Sequence, residues 1–161
     1  MRIALGCDHR GFELKEVIMG LLQELGHSYH DFGCYSADPV DYPDFAEKVG
    51  EAVASPDFDH GILICSSGVG MSIAANKVKG IRAALCHNTF TAQRARQHND
   101  ANILCLGGDD LEVEAALEIT RTFLRTDFEG GRHTSRVNKI AALEARPLQN
   151  GNGSPNEVFQ F

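Results

Sequence analysis

No run of lysine and arginine occurs anywhere in this chain, and its formal net charge is −7, so a nucleic-acid or membrane-surface role has no electrostatic footprint to rest on. No apolar run approaches membrane-spanning length, and the N-terminus lacks a signal-peptide profile. The five cysteines include no CxxC pair and their odd number argues against a disulfide framework, which disfavours a thiol redox protein and leads us to expect a reduced, cytoplasmic one. The pair Gly68 and Gly70 falls short of the dinucleotide fingerprint, and no metal-ligand spacing is present, so no cofactor and no metal are expected. Internal repeats are absent too. What remains is 161 residues with 43% apolar and 23% charged side chains, enough for one soluble domain with a proper core.

The chain is organised around Gly61-Ile-Leu-Ile-Cys65-Ser66-Ser67-Gly68-Val69-Gly70, continuing to Asn76 and Lys77. β-favouring residues ending at a cysteine, a glycine-punctuated turn and then helix formers read as strand, loop and helix. Such a turn aims backbone N–H groups and the positive end of a helix dipole at one point, a natural seat for an anion. A thiol at its rim is suited to act as a base or nucleophile. The competing reading, a small buried residue closing a core strand, is as good on this stretch alone.

Around it, strands and helices alternate. Residues 2–7 form an apolar strand leading into the polar tip Asp8-His9-Arg10-Gly11. Leu14, Val17, Ile18, Leu21, Leu22 and Leu25 then keep helical spacing, with Gly26 placed as a C-terminal stop. A weaker strand is expected at 28–32, a helix from Pro43 to Ala54 with Phe45, Val49 and Val53 on one side, and strands at 80–86 and 102–106. Helices are expected at 89–98 with Thr89 as cap, at 111–126 carrying Ala115, Leu117 and Phe123, and at 132–146. This alternation predicts an α/β fold with a mostly parallel sheet covered on both faces. The domain runs over 1–146, and 147–161 reads as a flexible tail.

Ligands of such folds sit at the carboxyl ends of the strands. Asp8 and His9 follow the first strand, Cys65 ends the third, and His98-Asn99-Asp100, after the fourth, are expected at the same edge. Singly, His9 reads equally as a solvated loop residue and His98 as a helix-end residue. Arg132 and Arg136, spaced i and i+4, put two guanidinium groups on one helix face, either a phosphate clamp or a solvated surface.

Taken jointly, Cys7-Asp8-His9 with Gly11, Asp41-Tyr42-Pro43, Gly61 to Cys65 through Asn76-Lys77, Gly80-Ile81-Arg82-Ala83, Arg96-Gln97-His98-Asn99-Asp100 and Glu129-Gly-Gly-Arg132-His133 through Arg136 resemble the type B ribose-5-phosphate isomerases. That family includes galactose-6-phosphate and allose-6-phosphate isomerases, and the resemblance covers residues 2–146. It implies a three-layer α/β/α Rossmann-like fold with a five-stranded parallel sheet, no metal, and a homodimer or dimer of dimers with shared sites. It implies that Cys65 moves a proton between C1 and C2 through a cis-enediolate and that His98, from the second protomer, assists ring opening. Asp8, Tyr42 and Asn99 would hold hydroxyls, Ser66, Ser67, Gly68, Val69 and Gly70 would surround the enediolate oxygen, and His9, Arg132 and Arg136 would bind phosphate.

Ser66-Ser67 stands where relatives often have Gly followed by Thr or Ser. Asp109 stands where many have an arginine, and a carboxylate there is expected to repel phosphate or to mark a different sugar. Ribose 5-phosphate is the first choice of substrate, ahead of other phosphorylated sugars, and a non-catalytic sugar-phosphate-binding module is the rival from another class.

Overall fold

The computed structural model describes residues 1–145; Arg146 and the tail expected at 147–161 lie outside them. Strands β1 (Arg2–Cys7), β2 (Ser28–Asp31), β3 (His60–Cys65), β4 (Ala83–Leu85) and β5 (Ile103–Gly107) alternate with helices α1 (Phe12–Glu24), α2 (Tyr42–Ala54), α3 (Val69–Ala75), α4 (Thr89–Asn99) and α5 (Val113–Arg125). A last helix, α6 (Arg132–Glu144), follows α5 directly and packs on α4. The five strands are parallel and ordered β2-β1-β3-β5-β4. The sheet therefore turns in opposite directions from β1 and β3, and the crevice at their carboxyl ends is where such folds take ligands.

Two-residue periodicity builds the layers. Ile3, Leu5, Ile62, Ile64, Leu104 and Leu106 face one way, onto Leu14, Ile18 and Leu22 of α1 and Ile119 and Phe123 of α5. Ala4, Leu63, Cys65, Ile103 and Cys105 face the other, onto Val49 and Val53 of α2 and Met71 and Ala75 of α3. Strands buried on both faces read as continuous apolar runs, which is why β3 and β5 were legible from composition. No helix among the described residues is long and apolar enough to cross a membrane.

Several local expectations shift. Val17 is 39% exposed, whereas Lys15 is fully buried on the face assigned to apolar residues. Its ammonium pairs with Asp31 and donates to the Cys34 carbonyl at 2.7 Å, so a paired charge takes a core position that hydropathy alone gives to Val17. On α5 the buried face carries Ala116, Ile119, Thr120 and Phe123, and Ala115 points outward. Asn88 rather than Thr89 caps α4: its side-chain oxygen accepts from Thr91 N–H at 2.9 Å, and Thr91 Oγ1 accepts from Asn88 N–H at 3.4 Å, a reciprocal box.

Removing one partner of a buried ion pair leaves the other uncompensated. Lys15→Ala is expected to cost about 3–5 kcal/mol in a urea titration, and Asp31→Ala a comparable amount. A second expectation concerns acid. His60, wedged against Phe123 with its Nδ1 buried and unpaired, is held down to about 4, first by burial and then by the Arg96 charge. The folded state thus resists a proton that the unfolded chain accepts near 6.5. Stability is present above that value and falls as pH drops toward 4, by about 3 kcal/mol at 1.36 per unit. Replacing His60 with Leu should flatten that slope in denaturation curves between pH 7 and 4.

Candidate active site

Three strand tips meet at the carboxyl edge. The pairing of β1 with β3 and of β3 with β5 continues past the sheet: Asp8 N–H donates to Ile64 C=O at 3.1 Å, Gly108 N–H to Cys65 C=O at 2.7 Å and Asp109 N–H to Ser66 C=O at 3.0 Å. Approaches this close need residues without Cβ. One added at Gly11 would lie 2.6 Å from the Ile64 carbonyl oxygen, and one at Gly68 2.8 Å from the Leu106 backbone. Gly68 also has φ +72°, a second reason for glycine at the start of α3.

Cys65 ends β3 with only 5% of its surface exposed, and Gly68 N–H donates to its Sγ at 3.2 Å, which fixes the direction of the sulfur. The other thiols are placed differently. Burial pushes Cys86 up to about 11 against a Thr91 hydrogen bond, and burial also raises Cys7 and, well above its ordinary value, Cys105. These thiols stay protonated at neutral pH. Beyond Gly68, the amides of Gly70 and Met71 open α3 and have no partner within the helix, while Val69 N–H reaches Ser67 Oγ at 3.4 Å.

Asp8 is buried behind this loop, its Oδ1 accepting from Arg10 N–H at 2.9 Å and Gly11 N–H at 3.1 Å. Tyr42 opens α2 and lays its ring on Gly70, where a Cβ would come within 2.7 Å of Cζ. His9 accepts Val40 N–H at Nδ1, 3.2 Å, so the neutral ring carries its proton on Nε2. The structure thus brings together Asp8, His9, Tyr42 and Ser66 to Gly70 around Cys65. Asp109 lies there too, but not bare: Arg10 Nε and Nη2 reach its Oδ2 at 3.0 and 2.9 Å.

His98 and Asn99 are not at this edge, contrary to the expectation from their place after β4. In a parallel sheet, α4 must run back from the carboxyl end of β4 to the amino end of β5, and these residues close its return. Arg82, just before β4, donates from Nε to the carbonyls of Asn99 at 3.1 Å and Asp100 at 2.8 Å. Gly61, the second residue of β3, pairs with Ile103, and Cys65, closing it, with Gly107; roughly 13 Å of strand separates the two pairs.

Arg132 and Arg136 lie with His98. Glu129 N–H donates to Gln97 C=O at 3.1 Å, and the His98 and His133 rings stack with centroids 4.1 Å apart and planes within 6°. His98 Nε2 lies 3.3 Å from an Arg94 nitrogen and 3.9 Å from Glu129 Oε2, which is 3.6 Å from His133 Nε2. Burial first, then the charges of His98, Arg132 and Arg136, hold His133 below its usual value. The donor atoms of His98, Glu129 and His133 lie within 4.8 Å of one another. Rings this nearly parallel cannot both aim an in-plane lone pair at one ion, so the group suits hydrogen bonding better than coordination.

The chain as a whole matches known proteins. The model of the Ribose/Galactose Isomerase family fits residues 3–140. This chain belongs to the ribose/galactose isomerase family. Ribose-5-phosphate isomerase B of Escherichia coli is 48% identical over 145 residues, 90% of this chain and 97% of that protein. The structure of Clostridium thermocellum ribose-5-phosphate isomerase B superposes with a TM-score of 0.89 at 50% identity, covering 90% and 98% of the two chains. The type B enzyme of Trypanosoma brucei gives 0.86 at 49%, covering 88% and 97%. Membership in the ribose/galactose isomerases agrees with the three-layer fold. The reading from residue patterns named Arg10 in the polar tip and Glu129 in the last motif without giving either a role, and passed over Arg94 and the buried Lys15; only Glu129 and His133, at i and i+4, carried a spacing signal.

Proposed function

We propose that this chain is an aldose–ketose isomerase interconverting ribose 5-phosphate and ribulose 5-phosphate, acting in a reducing, cytoplasmic setting. The observation that carries the reading is Cys65, oriented by Gly68 N–H and set between Asp8, the Ser66–Gly70 loop and the Tyr42 ring, at the crevice between β1 and β3. In this reading Cys65 takes the proton from C2 of the open-chain aldose. The electron pair shifts to the carbonyl oxygen, giving the cis-enediolate; the protonated sulfur then returns the proton to C1 while the proton of the C2 hydroxyl passes to O1, leaving the carbonyl at C2 and the thiolate restored. The amides of Gly70 and Met71 and the Ser67 hydroxyl stabilise the oxygen that gains charge. Asp8, Tyr42 and Asn99 hold hydroxyls, and His9, Arg132 and Arg136 bind the phosphate.

The chemistry needs Cys65 and His98 together, yet one chain holds them at opposite edges. A homodimer resolves this if His98, Asn99, Arg132 and Arg136 of a second copy close over Cys65. Support comes from exposed apolar residues flanking both halves, Val69 and Ile73 on α3 and Ile140 and Leu143 on α6, a surface that association would cover. There His98 assists opening of the furanose, its ring plane set by the His133 stack.

Cys65→Ala should lower kcat on ribose 5-phosphate by about 10²–10⁴-fold while keeping substrate binding, whereas Cys7→Ser, Cys86→Ser and Cys105→Ser should change stability more than rate. Near wild-type turnover in Cys65→Ala refutes the role, and faster turnover of allose or galactose 6-phosphate by the wild type would reassign the sugar. The shared site has its own test. Mixing Cys65→Ala with His98→Asn after subunit exchange should restore roughly a quarter of wild-type activity, because each mixed dimer of a two-fold assembly holds one intact site. Activity that stays at the level of the separate variants places both groups within one chain's site.

A further inference from the structure

Arg10 and Asp109 stand on either side of Ser66, one at the tip of β1 and the other at the tip of β5. Arg10 is half-exposed with its Nε and Nη2 both on Asp109 Oδ2, and Nη1 makes no hydrogen bond among the described residues. Both backbones are fixed: Arg10 N–H is bound by Asp8 Oδ1, a Cβ on Gly108 would lie 2.8 Å from the Arg10 carbonyl oxygen, and Asp109 N–H is bound by Ser66 C=O. An ion pair this open to water contributes little to stability. Its position beside His9 at the mouth of the crevice is what sets it apart. Hydrogen bonds from Arg10 and the Ser66 side chain hold Asp109 below the usual carboxylate range. A carboxylate here would repel an incoming phosphate. Covered by a guanidinium, it becomes instead a bracket that turns a long side chain toward the crevice.

We propose that Arg10 is a further phosphate-binding residue of this enzyme and that Asp109 is its positioning residue. Nη1 supplies charge-assisted donors next to the Nε2–H of His9, so a cation and a neutral donor on successive residues meet the phosphate from the β1 side. The inference rests on the isomerase reading for the substrate, but the anion site itself is open to separate measurement.

The test combines kinetics on ribose 5-phosphate with calorimetric titration of inorganic phosphate. Arg10→Ala should raise KM about tenfold with kcat nearly unchanged, and weaken phosphate binding by the same factor, as expected for uniform binding by a charged group. Asp109→Ala should raise KM about threefold, and the double variant should be no worse than Arg10→Ala alone, because the carboxylate acts only through the guanidinium. Combining Arg10→Ala with Asp109→Arg moves the cation across the mouth and should recover most of the lost phosphate affinity. Unchanged KM and phosphate binding in Arg10→Ala overturn the role of Arg10. A lower KM in Asp109→Ala overturns that of Asp109, showing it to be a competitor of the phosphate. If wild-type protein fails to isomerise ribose 5-phosphate, the isomerase reading falls, and the phosphate titrations still decide for or against Arg10.

Discussion

The hydrogen bond from Gly108 N–H to the Cys65 carbonyl, 2.7 Å, holds the carboxyl edge of the sheet together. It extends the β3–β5 ladder one step past the sheet, just where the chain leaves the strands to form loops. With Asp8 N–H on Ile64 and Asp109 N–H on Ser66, it makes three separate loops move as one body with the sheet. Glycines at 11, 68 and 108 permit the approach, and the sulfur, the Asp8 carboxylate and the Arg10–Asp109 bracket inherit their positions from it. A site built on the ends of buried strands is held to the tolerance of the core rather than to that of a surface loop.

A second support comes from the far side of β1. Lys15, fully buried, grips Asp31 and the Cys34 carbonyl, and Asp31 Oδ1 accepts Gly33 N–H at 2.9 Å. The loop so anchored runs on to Val40, whose N–H sets the tautomer of His9. Charge buried in the core thus reaches the surface as the orientation of one imidazole.

The alternation of strands and helices was legible because strands buried on both faces leave unbroken apolar runs and amphipathic helices leave a 3.6-residue period. That Asp8, Cys65 and the loop after Cys65 meet at one edge of the sheet was legible because strand ends, glycines and polar tips coincide. What escaped reading depends on pairing through space. Lys15 looks like a solvated lysine until Asp31 is placed opposite it, and Arg10 acquires meaning only once Asp109 lies across the crevice. His98 was assigned to the wrong edge within its own chain because spacing after a strand says nothing about which end of the returning helix a residue occupies; the parallel direction of β4 and β5 decides that.

Asp100 ends α4 with φ +47°, a conformation in which glycine would be at ease and aspartate is strained. Its carboxylate spans Arg82 Nη2 at 2.9 Å and Arg96 Nη1 at 2.8 Å, and Arg96 is itself buried against Phe123. A glycine would relieve the backbone and release both guanidinium groups. The backbone of the helix end carrying His98 and Asn99 is therefore fixed in the isolated chain, and the His98 ring is already held there by its stack on His133. In the homodimer proposed above, two copies meeting through such surfaces would give up mainly rigid-body freedom, so that a modest apolar contact would suffice to hold them.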